Sequence, residues 1–372
     1  MMNPQFPVRS LTDAASAVAL LVFSATASSM VYAQEAWKTI ESGVSVELRG
    51  LSVVNRNVAW ASGAKGTVIR TLDGENWENV SVSAKNPEAA SLDFRDIQGI
   101  DKTTAIAMSA GPGKASTIYK TTDGGAHWEL MIVNGDASGF WDAIDFWDAQ
   151  NGVIFGDPIN GQFQVLITHD GGKSWKNATQ NLSQLSALPN EGAFAASGTC
   201  VSVSGTQDVW FATGGAEKTR VFHSPDGGQT WTFAETAVAA GAPPKGLFSV
   251  AFSDSKLGFA VGGDYQKAKG EGLNAAVSQD GGLTWQASPA MPSGFLSVVI
   301  AVPGQSNTFV VGGLAGSGVT KDGGKTWEVL GEVPLNAIGF ADNLHGWAVG
   351  PKGLVMKYSG KRLVNTASAV KP

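Results

Sequence analysis

Residues 168–175 of the chain read Thr-His-Asp-Gly-Gly-Lys-Ser-Trp, and this octapeptide is one copy of an internal repeat. The same pattern, Ser/Thr-x-Asp-Gly-Gly-x-x-Trp, recurs at residues 121–128, 224–231, 278–285 and 320–327. A sixth copy at residues 71–77 has one residue fewer between its Asp and its Trp. A repeat of this kind is the strongest available indication of fold, because it marks a structural unit that is stacked many times.

The residue types of the repeat are those of a hairpin turn. An Asp side chain can accept hydrogen bonds from backbone N–H groups two residues on, and glycine adopts positive φ without steric cost. The Trp then begins the next strand and can pack between neighbouring sheets. We therefore interpret the repeat as an Asp-box with a structural role, carried by Asp73, Asp123, Asp170, Asp226, Asp280 and Asp322 and by Trp77, Trp128, Trp175, Trp231, Trp285 and Trp327.

Each copy of the repeat lies near the end of a unit with four strand-like runs. Short β-branched and aromatic runs alternate with Gly, Asn and Pro, and no segment has helical periodicity, so the sequence predicts an all-β protein. Four strands at intervals of about 40–50 residues are typical of a propeller blade. Six units end at the repeat, and a seventh, residues 335–358, lacks the repeat and the last strand. The sequence thus predicts a seven-bladed β-propeller.

The missing strand has a candidate at the other end of the chain. Residues 36–40, Ala-Trp-Lys-Thr-Ile, resemble the strand that follows each repeat, such as residues 327–330, Trp-Glu-Val-Leu. We expect this N-terminal strand to complete the last blade and close the ring, which would remove two open sheet edges.

The N-terminal residues have the features of an export signal. Arg9 precedes an apolar run at 14–28, and Val-Tyr-Ala at 31–33 is a small-x-small cleavage site. We predict a signal peptide at 1–33, with an uncleaved membrane anchor as the alternative, a propeller at 34–360 and a disordered polar tail at 361–372. Cys200 is the only cysteine and lies in an apolar run, so a buried structural thiol is expected.

Charge composition limits the classes of partner. The chain of 372 residues has a formal net charge of −6 and only 16% charged residues, which argues against nucleic-acid binding. The four His residues are not at metal-ligand spacing, so no metal site is predicted. No sequence motif supports a cofactor, and none is expected.

The first strand of each predicted blade begins near the central channel, where propellers bind their ligands. The strands of blades one to three begin with charged and aromatic residues, whereas those of blades four to six, such as Ala195-Ala196 and Phe248-Ser249, have less reactive side chains. The candidate binding residues are Arg49, Arg95, Asp96, Trp141, Asp142, Asp145 and Asp157. The arginines and aspartates could bind a charged partner group, or they could form ion pairs that stabilise the channel.

A sialidase or another glycosidase is the alternative function on the same architecture. A sialidase needs three arginines around the substrate carboxylate, a Tyr nucleophile with a Glu partner, and an Asp acid/base. Only two arginines can be placed at the channel, and no Tyr lies on an inner strand. The sequence therefore favours a binding protein over an enzyme.

The whole chain after residue 33 resembles the family of photosystem II stability and assembly factors and their bacterial BNR-like relatives. The resemblance is carried by residues 48–53, Leu-Arg-Gly-Leu-Ser-Val, by 58–63, Val-Ala-Trp-Ala-Ser-Gly, by 93–97, Asp-Phe-Arg-Asp-Ile, and by the Asp-boxes. It implies an exported seven-bladed propeller that binds polypeptide partners during membrane-complex assembly.

This resemblance sets the functional expectations. The partner would be a protein, such as a membrane-complex subunit or its precursor, and the chain would be a monomer in the periplasm, or in the thylakoid lumen of a photosynthetic host. A glycan is the alternative ligand, bound by a lectin-like or glycosidase site.

Overall fold

The computed structural model describes residues 36–84, 86–179 and 183–364. The chain divides into two compact units, residues 1–34 and 35–372, and every described residue belongs to the second. The predicted signal peptide, residues 1–33, lies outside the described residues.

The second unit contains seven antiparallel sheets of four strands each. Strand β1 (Trp37–Ile40) precedes blade one, which contains β2 (Leu48–Val53), β3 (Ala59–Gly63), β4 (Thr67–Thr71) and β5 (Trp77–Asn79). Blade two contains β6 (Phe94–Gly99), β7 (Ala105–Ser109), β8 (Thr117–Thr121) and β9 (Glu129–Val133). Blade three contains β10 (Trp141–Phe146), β11 (Gly152–Ile159), β12 (Gln162–Thr168) and β13 (Lys176–Asn177).

The remaining blades follow the same order along the chain. Blade four contains β14 (Val201–Ser204), β15 (Asp208–Ala212), β16 (Thr219–Ser224) and β17 (Thr232–Thr236). Blade five contains β18 (Lys245–Phe252), β19 (Gly258–Asp264), β20 (Ala275–Ser278) and β21 (Gln286–Ala287). Blade six contains β22 (Val298–Ala301), β23 (Phe309–Gly313), β24 (Gly316–Thr320) and β25 (Glu328–Gly331). Blade seven contains β26 (Ala337–Phe340), β27 (Gly346–Val349) and β28 (Val355–Tyr358). The predicted all-β, seven-bladed propeller is confirmed.

Helical structure in the described residues is limited to short 3₁₀ segments. They are Val82–Ala84, Pro87–Ser91, Gly113–Ala115, Ser183–Leu185 and Pro351–Gly353. Within the residues that the structure describes, no helix has the length and apolar character needed to cross a membrane.

The fourth strand of blade seven comes from the N-terminal side of the chain. Strand β1 pairs antiparallel with β28, with Trp37 opposite Tyr358 and Ile40 opposite Val355. The Trp37 ring also packs edge-on against Phe340, and its Nε1 donates to Ser317 Oγ in blade six at 2.9 Å. The strand is therefore held by its own sheet and by the neighbouring blade.

The polar tail begins later than predicted. Leu363 is buried, and its backbone N–H donates to the carbonyl oxygen of Asn343 at 2.7 Å. Tyr358 Oη donates to the carbonyl of Lys361 at 2.6 Å. The prediction of disorder from residue 361 is wrong for residues 361–364, because one apolar side chain and two hydrogen bonds hold this stretch against blade seven; residues 365–372 lie outside the described part.

The core consists of apolar layers between the blades. Seven clusters of buried side chains occur in the described residues, and each joins two neighbouring blades. The cluster between blades seven and one contains Leu48 and Trp347, for example. Trp347 Nε1 also donates to the carbonyl of Gly74 in blade one at 3.2 Å. Because each sheet buries both faces in this way, its inner three strands are apolar over most of their length.

The repeat forms a tight turn between the third and fourth strands. In blade three, Thr168 Oγ1 donates to Asp170 Oδ1 at 2.8 Å and accepts the Gly172 N–H at 3.0 Å. The Ser174 N–H donates to the same Asp170 oxygen at 2.9 Å. Gly171 and Gly172 have φ values of +70° and +82°, which side chains rarely adopt. Ser174 Oγ donates to the other carboxylate oxygen, Asp170 Oδ2, at 2.6 Å, and this bond together with the Ser174 N–H lowers the pKa of Asp170.

The shortened copy in blade one forms a similar turn, but its aspartate accepts hydrogen bonds from different backbone N–H groups. In the five full copies the aspartate accepts the N–H four residues on, rather than two as predicted. Asp73 instead accepts the N–H groups of Glu75 at 2.9 Å and Asn76 at 2.7 Å. The loss of one residue shortens the loop, and the carboxylate still closes it.

Candidate functional site

The seven first strands begin at one end of the channel, which we call the mouth, and the repeat turns lie at the other end. This follows from the antiparallel order of each blade, because the turn between strands one and two and the repeat turn share an end. In blade three they are joined directly, since the Gly171 N–H donates to the carbonyl of Gln150 at 2.9 Å. The repeat turns are therefore far from the candidate binding residues.

In blades one, two, three and five, a β-bulge near the start of the first strand directs one side chain toward the mouth. The register shifts between Leu48 and Gly50, between Phe94 and Asp96, and between Trp141 and Ala143. The residues within these bulges are Arg49, Arg95 and Asp142, and the same irregularity in blade five contains Phe248. A bulge re-aims a side chain in this way because two residues face one on the partner strand.

Trp141 does not belong to the mouth, so its prediction as a binding residue is wrong. Its side chain is 2% exposed and packs between blades two and three, beside Ile106 and Ile154. Trp141 occupies the buried position of Leu48 and Phe94, and Asp142 occupies the position of the two arginines.

The chain crosses the mouth between blades three and four. Residues 192–199, here called the channel segment, precede the first strand of blade four, so the predicted inner-strand pair Ala195 and Ala196 is not in a strand. Arg95 Nη1 donates to the carbonyl of Ala195 at 3.2 Å, and Arg49 Nη1 lies 3.5 Å from the carbonyl of Ala196. The channel segment is thus tied to blades one and two.

Further contacts tie the channel segment to blades three and six. The Ala193 N–H donates to Asp157 Oδ1 at 2.8 Å, and Ser197 Oγ donates to the carbonyl of Ser297 at 2.7 Å. Gly198 has φ of +76°, and a Cβ added to it would lie 2.2 Å from Asp96 Oδ1. The segment closes the mouth, and its fit there requires a glycine at residue 198.

Both arginines form ion pairs with acidic residues on their own blades, rather than with Asp96 or Asp142. Arg49 Nη2 lies 2.9 Å from Glu47 Oε1, and Arg95 Nε lies 2.8 Å from Asp93 Oδ2. The side chains of Arg49 and Arg95 remain 25% and 32% exposed. They are positioned by these pairs and by the channel segment, and part of each guanidinium faces solvent.

Asp142 and Asp157 lie beside the arginines in a drier environment. Burial raises the pKa of Asp142 well above its usual range, the nearby Asp157 raises it further, and Arg95 opposes the shift. Asp142 Oδ2 is buried without a hydrogen-bond partner in the described residues. Burial also raises the pKa of Asp157. These carboxyl groups therefore favour the protonated form more than exposed aspartates do.

Asp96 and Asp145 connect blades instead of facing the mouth. Asp96 accepts the Ile144 N–H of blade three at 2.7 Å, and Asp145 accepts the Val203 N–H of blade four at 3.0 Å. Burial raises the pKa of Asp96, and it raises the pKa of Asp145 to about 7. Both line the axial channel on the other side of the channel segment. The structure thus separates them from the arginines with which they were grouped.

The mouth contains a cavity of about 420 Å³ with two different walls. Blades one to three contribute the charged wall, with Arg49, Arg95, Asp142 and Asp157. The opposite wall is apolar and consists of Phe194, Phe248, Tyr265, Phe295 and Leu314. Sequence reasoning missed most of this wall, since Phe248 was considered unreactive and Phe194 lies in the channel segment. The sequence did place Phe248 at the channel end of its strand, but it did not indicate that its ring joins the other apolar side chains in one wall.

The cavity lining combines arginine and aromatic side chains with buried carboxyl groups. In the described ranges, no three His, Cys, Asp or Glu side chains come together as metal ligands do. Cys200 is buried, as predicted, and burial raises the pKa of its thiol well above its ordinary value. Partly exposed arginines beside aromatic side chains are instead typical of protein interfaces.

Comparisons with solved structures agree with this architecture. A structure of YCF48 bound to a D1 peptide matches with a TM-score of 0.62 and 18% identity over 88% of this chain and 98% of that chain. YCF48 from Cyanidioschyzon merolae matches with a TM-score of 0.61 and 17% identity over 87% and 98%. The likeness establishes the propeller fold.

A third match is an enzyme. The GH74 xyloglucanase from Xanthomonas campestris matches with a TM-score of 0.57 and 14% identity, over 86% of this chain and 53% of that chain. No protein-family model matches the chain, and no curated protein does. Similarity at this level of identity supports the fold and leaves the function to be argued from the site.

Proposed function

We propose that this protein binds a polypeptide segment of a partner at the mouth of the propeller. The observation that carries the proposal is the mouth cavity, in which Arg49 and Arg95 are part-exposed and face an aromatic wall. Arginine and aromatic side chains in a pocket are the residues that contribute most to protein interfaces. The D1 peptide bound to YCF48, a propeller of similar fold, supports a peptide as the ligand.

The proposed role is that of an exported assembly or scaffold factor for an envelope or membrane protein complex. It rests on the sequence resemblance to photosystem II assembly factors and on the signal-like residues 1–33. The protein would act as a monomer in the periplasm, or in the thylakoid lumen of a photosynthetic host. The Ser/Thr-x-Asp-Gly-Gly-x-x-Trp repeats would be Asp-boxes of the BNR type, and the pairing of β1 with β28 would close the ring.

A binding protein is favoured over a glycoside hydrolase, although GH74 enzymes share the fold. Glycoside hydrolysis needs two carboxyl groups that flank the sugar from an open cleft. Asp96 and Asp142 are buried, and both oxygens of Asp145 accept backbone N–H groups, from Phe146 and Val203. Hydrolysis of xyloglucan or a sialoside that Asp142→Asn abolishes would reverse this ranking.

Site-specific photo-crosslinking tests the binding site. A photoreactive amino acid at Leu314, in the mouth, should crosslink to a subunit or precursor of a membrane complex when the protein is expressed in its own host. The matched control has the photoreactive amino acid at Leu283, which is 62% exposed in the repeat turn of blade five. This control should not crosslink to the partner. Equal crosslinking from both positions, or from Leu283 alone, would place the partner elsewhere.

Charge variants complete the test. Arg49→Ala with Arg95→Ala should abolish the crosslink from Leu314, because both guanidinium groups face the cavity. Arg56→Ala removes an ion-paired arginine on the repeat-turn end, 2.6 Å from Asp342, and should leave the crosslink unchanged. An undiminished crosslink in the double variant would mean that the arginines only stabilise the channel segment.

Export is tested separately by sequencing the N-terminus of the protein purified from its host. A mature chain that begins at Gln34 would support cleavage after Ala33. A chain that retains residues 1–33 and sediments with membranes would support the uncleaved anchor instead.

A further inference from the structure

The mouth cavity has one charged wall and one apolar wall, and a ligand that fills it must contact both. Arg49 and Arg95 form one side, and the apolar wall of Phe194, Phe248, Tyr265, Phe295 and Leu314 forms the other. A ligand that satisfied only the arginines would leave the apolar wall exposed to water. The free energy of binding would then lack the contribution of apolar burial, which dominates most protein associations.

The apolar wall is rigid at its base and open at its edge. The Phe194 and Phe248 rings are stacked with centroids 3.8 Å apart, and Phe295 packs edge-on against Phe248 at 4.7 Å. Tyr265 packs edge-on against Phe248 at 6.2 Å yet is 45% exposed, and Leu314 is 38% exposed. Two exposed apolar side chains around a fixed aromatic base form a socket for one more apolar group.

The charged residues near the socket indicate which second group on the ligand lies beside its apolar side chain. Arg49 and Arg95 are the basic residues of the cavity lining, and each keeps an exposed fraction beside its ion-pair partner, Glu47 or Asp93. A guanidinium with free N–H groups can accept a further carboxylate in bidentate geometry, so this wall favours an acidic group on the ligand. A cavity of about 420 Å³ is within the range of ligand pockets and limits the occupant to a few side chains.

We propose that the mouth selects polypeptide segments in which a large apolar residue stands next to an acidic one. The apolar side chain packs against Phe194, Tyr265 and Leu314, and the carboxylate faces Arg49 and Arg95. This inference rests on the proposed function, since it names the kind of segment that the same cavity binds. It makes Tyr265 and Leu314 determinants of specificity.

Four fluorescein-labelled synthetic nonapeptides test the inference by fluorescence anisotropy. They share a Gly/Ser background and contain Phe-Asp, Ala-Asp, Phe-Asn or Ala-Asn at the centre. The Phe-Asp peptide should bind at least about tenfold more tightly than either single replacement, because loss of an anchor side chain or its charged partner typically has this effect. Equal binding of Phe-Asp and Ala-Asp would overturn the inference and leave the proposed function intact.

Protein variants assign the effect to the socket. Leu314→Ala and Tyr265→Ser should reduce the affinity for Phe-Asp to that for Ala-Asp, whereas Leu283→Ala, the exposed leucine of a repeat turn, should not change it. Thermal unfolding establishes that each variant is folded. A variant that keeps the full preference for Phe would exclude the apolar wall as its source.

Two other occupants of the socket would give different results. Binding to vesicles of phosphatidylethanolamine and phosphatidylglycerol that Tyr265→Ser abolishes would identify the wall as a lipid contact and overturn the inference. Self-association in sedimentation experiments that Leu314→Ala abolishes would identify a second copy as the occupant and would also overturn it. Failure of all four peptides to bind would refute both the inference and the proposed peptide site.

Discussion

Arg220 and Glu191 form a buried ion pair next to the mouth, with Arg220 Nε donating to Glu191 Oε1 at 2.8 Å. Their side chains are 4% and 0% exposed. Arg220 also donates to the carbonyl of Ser186 at 2.9 Å and lies over the rings of Phe222 and Phe233. Because Glu191 directly precedes the channel segment, this pair holds the point at which the chain enters the mouth.

Removing one partner of the pair should be strongly destabilising. Glu191→Ala would leave the Arg220 charge buried and unpaired, and we expect a loss of about 3–5 kcal/mol in the free energy of unfolding. Urea denaturation followed by tryptophan fluorescence measures it. The exposed pair Lys218 and Glu235 is the control, and Lys218→Ala should change the free energy of unfolding far less, because an exposed ion pair contributes little. Similar small effects of both substitutions would show that the Arg220 charge is hydrated.

Trp37 should contribute as much stability as a central core residue, although it lies near the start of the described chain. Its ring packs against Phe340 and Tyr358, and Trp37→Ala should lower the free energy of unfolding by about 3–5 kcal/mol. Thr39, exposed on the same strand, is the control, and Thr39→Ala should have little effect. A marginal effect of Trp37→Ala would mean that β1 does not hold the last blade in solution.

The repeat turns should affect stability without affecting binding. Asp280 accepts the Thr284 N–H at 2.9 Å and its hydroxyl at 2.6 Å, and Asp280→Ala should cost about 1 kcal/mol. Trp285 packs edge-on against Phe252 with ring centroids 5.9 Å apart, and Trp285→Ala should lower the free energy of unfolding by about 3–5 kcal/mol. Calorimetry and binding of the Phe-Asp peptide are measured on both variants. Weaker peptide binding at unchanged stability would assign the turns a direct function.

Asp145 should make stability depend on pH. Its pKa in the folded protein is about 7, above the ordinary value of 3.8, so the folded state holds a proton that the unfolded state releases. The contribution is present at low pH and is lost as pH rises through 7, so the wild-type melting temperature should fall between pH 5 and pH 8. The melting temperature of the Asp145→Asn variant should fall less over the same pH interval. Identical pH profiles of the two proteins would show that Asp145 is ionised throughout.

Much of the architecture could be predicted from the sequence because the repeat is local. The Asp and the two glycines of each copy form their turn within eight residues, so their spacing is visible in the chain itself. The number of blades follows from counting these turns and the incomplete unit at residues 335–358. The beginning of the polar tail was misplaced, because the burial of Leu363 depends on a partner in another loop.

The candidate site was predicted in part. Arg49 and Arg95 do lie together at the mouth, since both occupy the same position of a repeated strand. Trp141 was predicted to bind, but it occupies the buried strand position of Leu48 and Phe94, and Asp142 follows it at the position of the two arginines. The apolar Phe140 directly before Trp141 makes this register ambiguous in the sequence.

The sequence by itself determined the fold class, the unit length and the residues of each turn, since hydrogen bonds between close neighbours in the chain decide them. Only the tertiary structure decided which residues line the mouth. The channel segment covers the axis through contacts with Arg49, Asp157 and Ser297, which are distant in the chain. The apolar wall likewise joins Phe194 of the channel segment with Phe248 of blade five and Leu314 of blade six. Such contacts depend on the arrangement of the seven blades around one axis, which cannot be read from any single stretch.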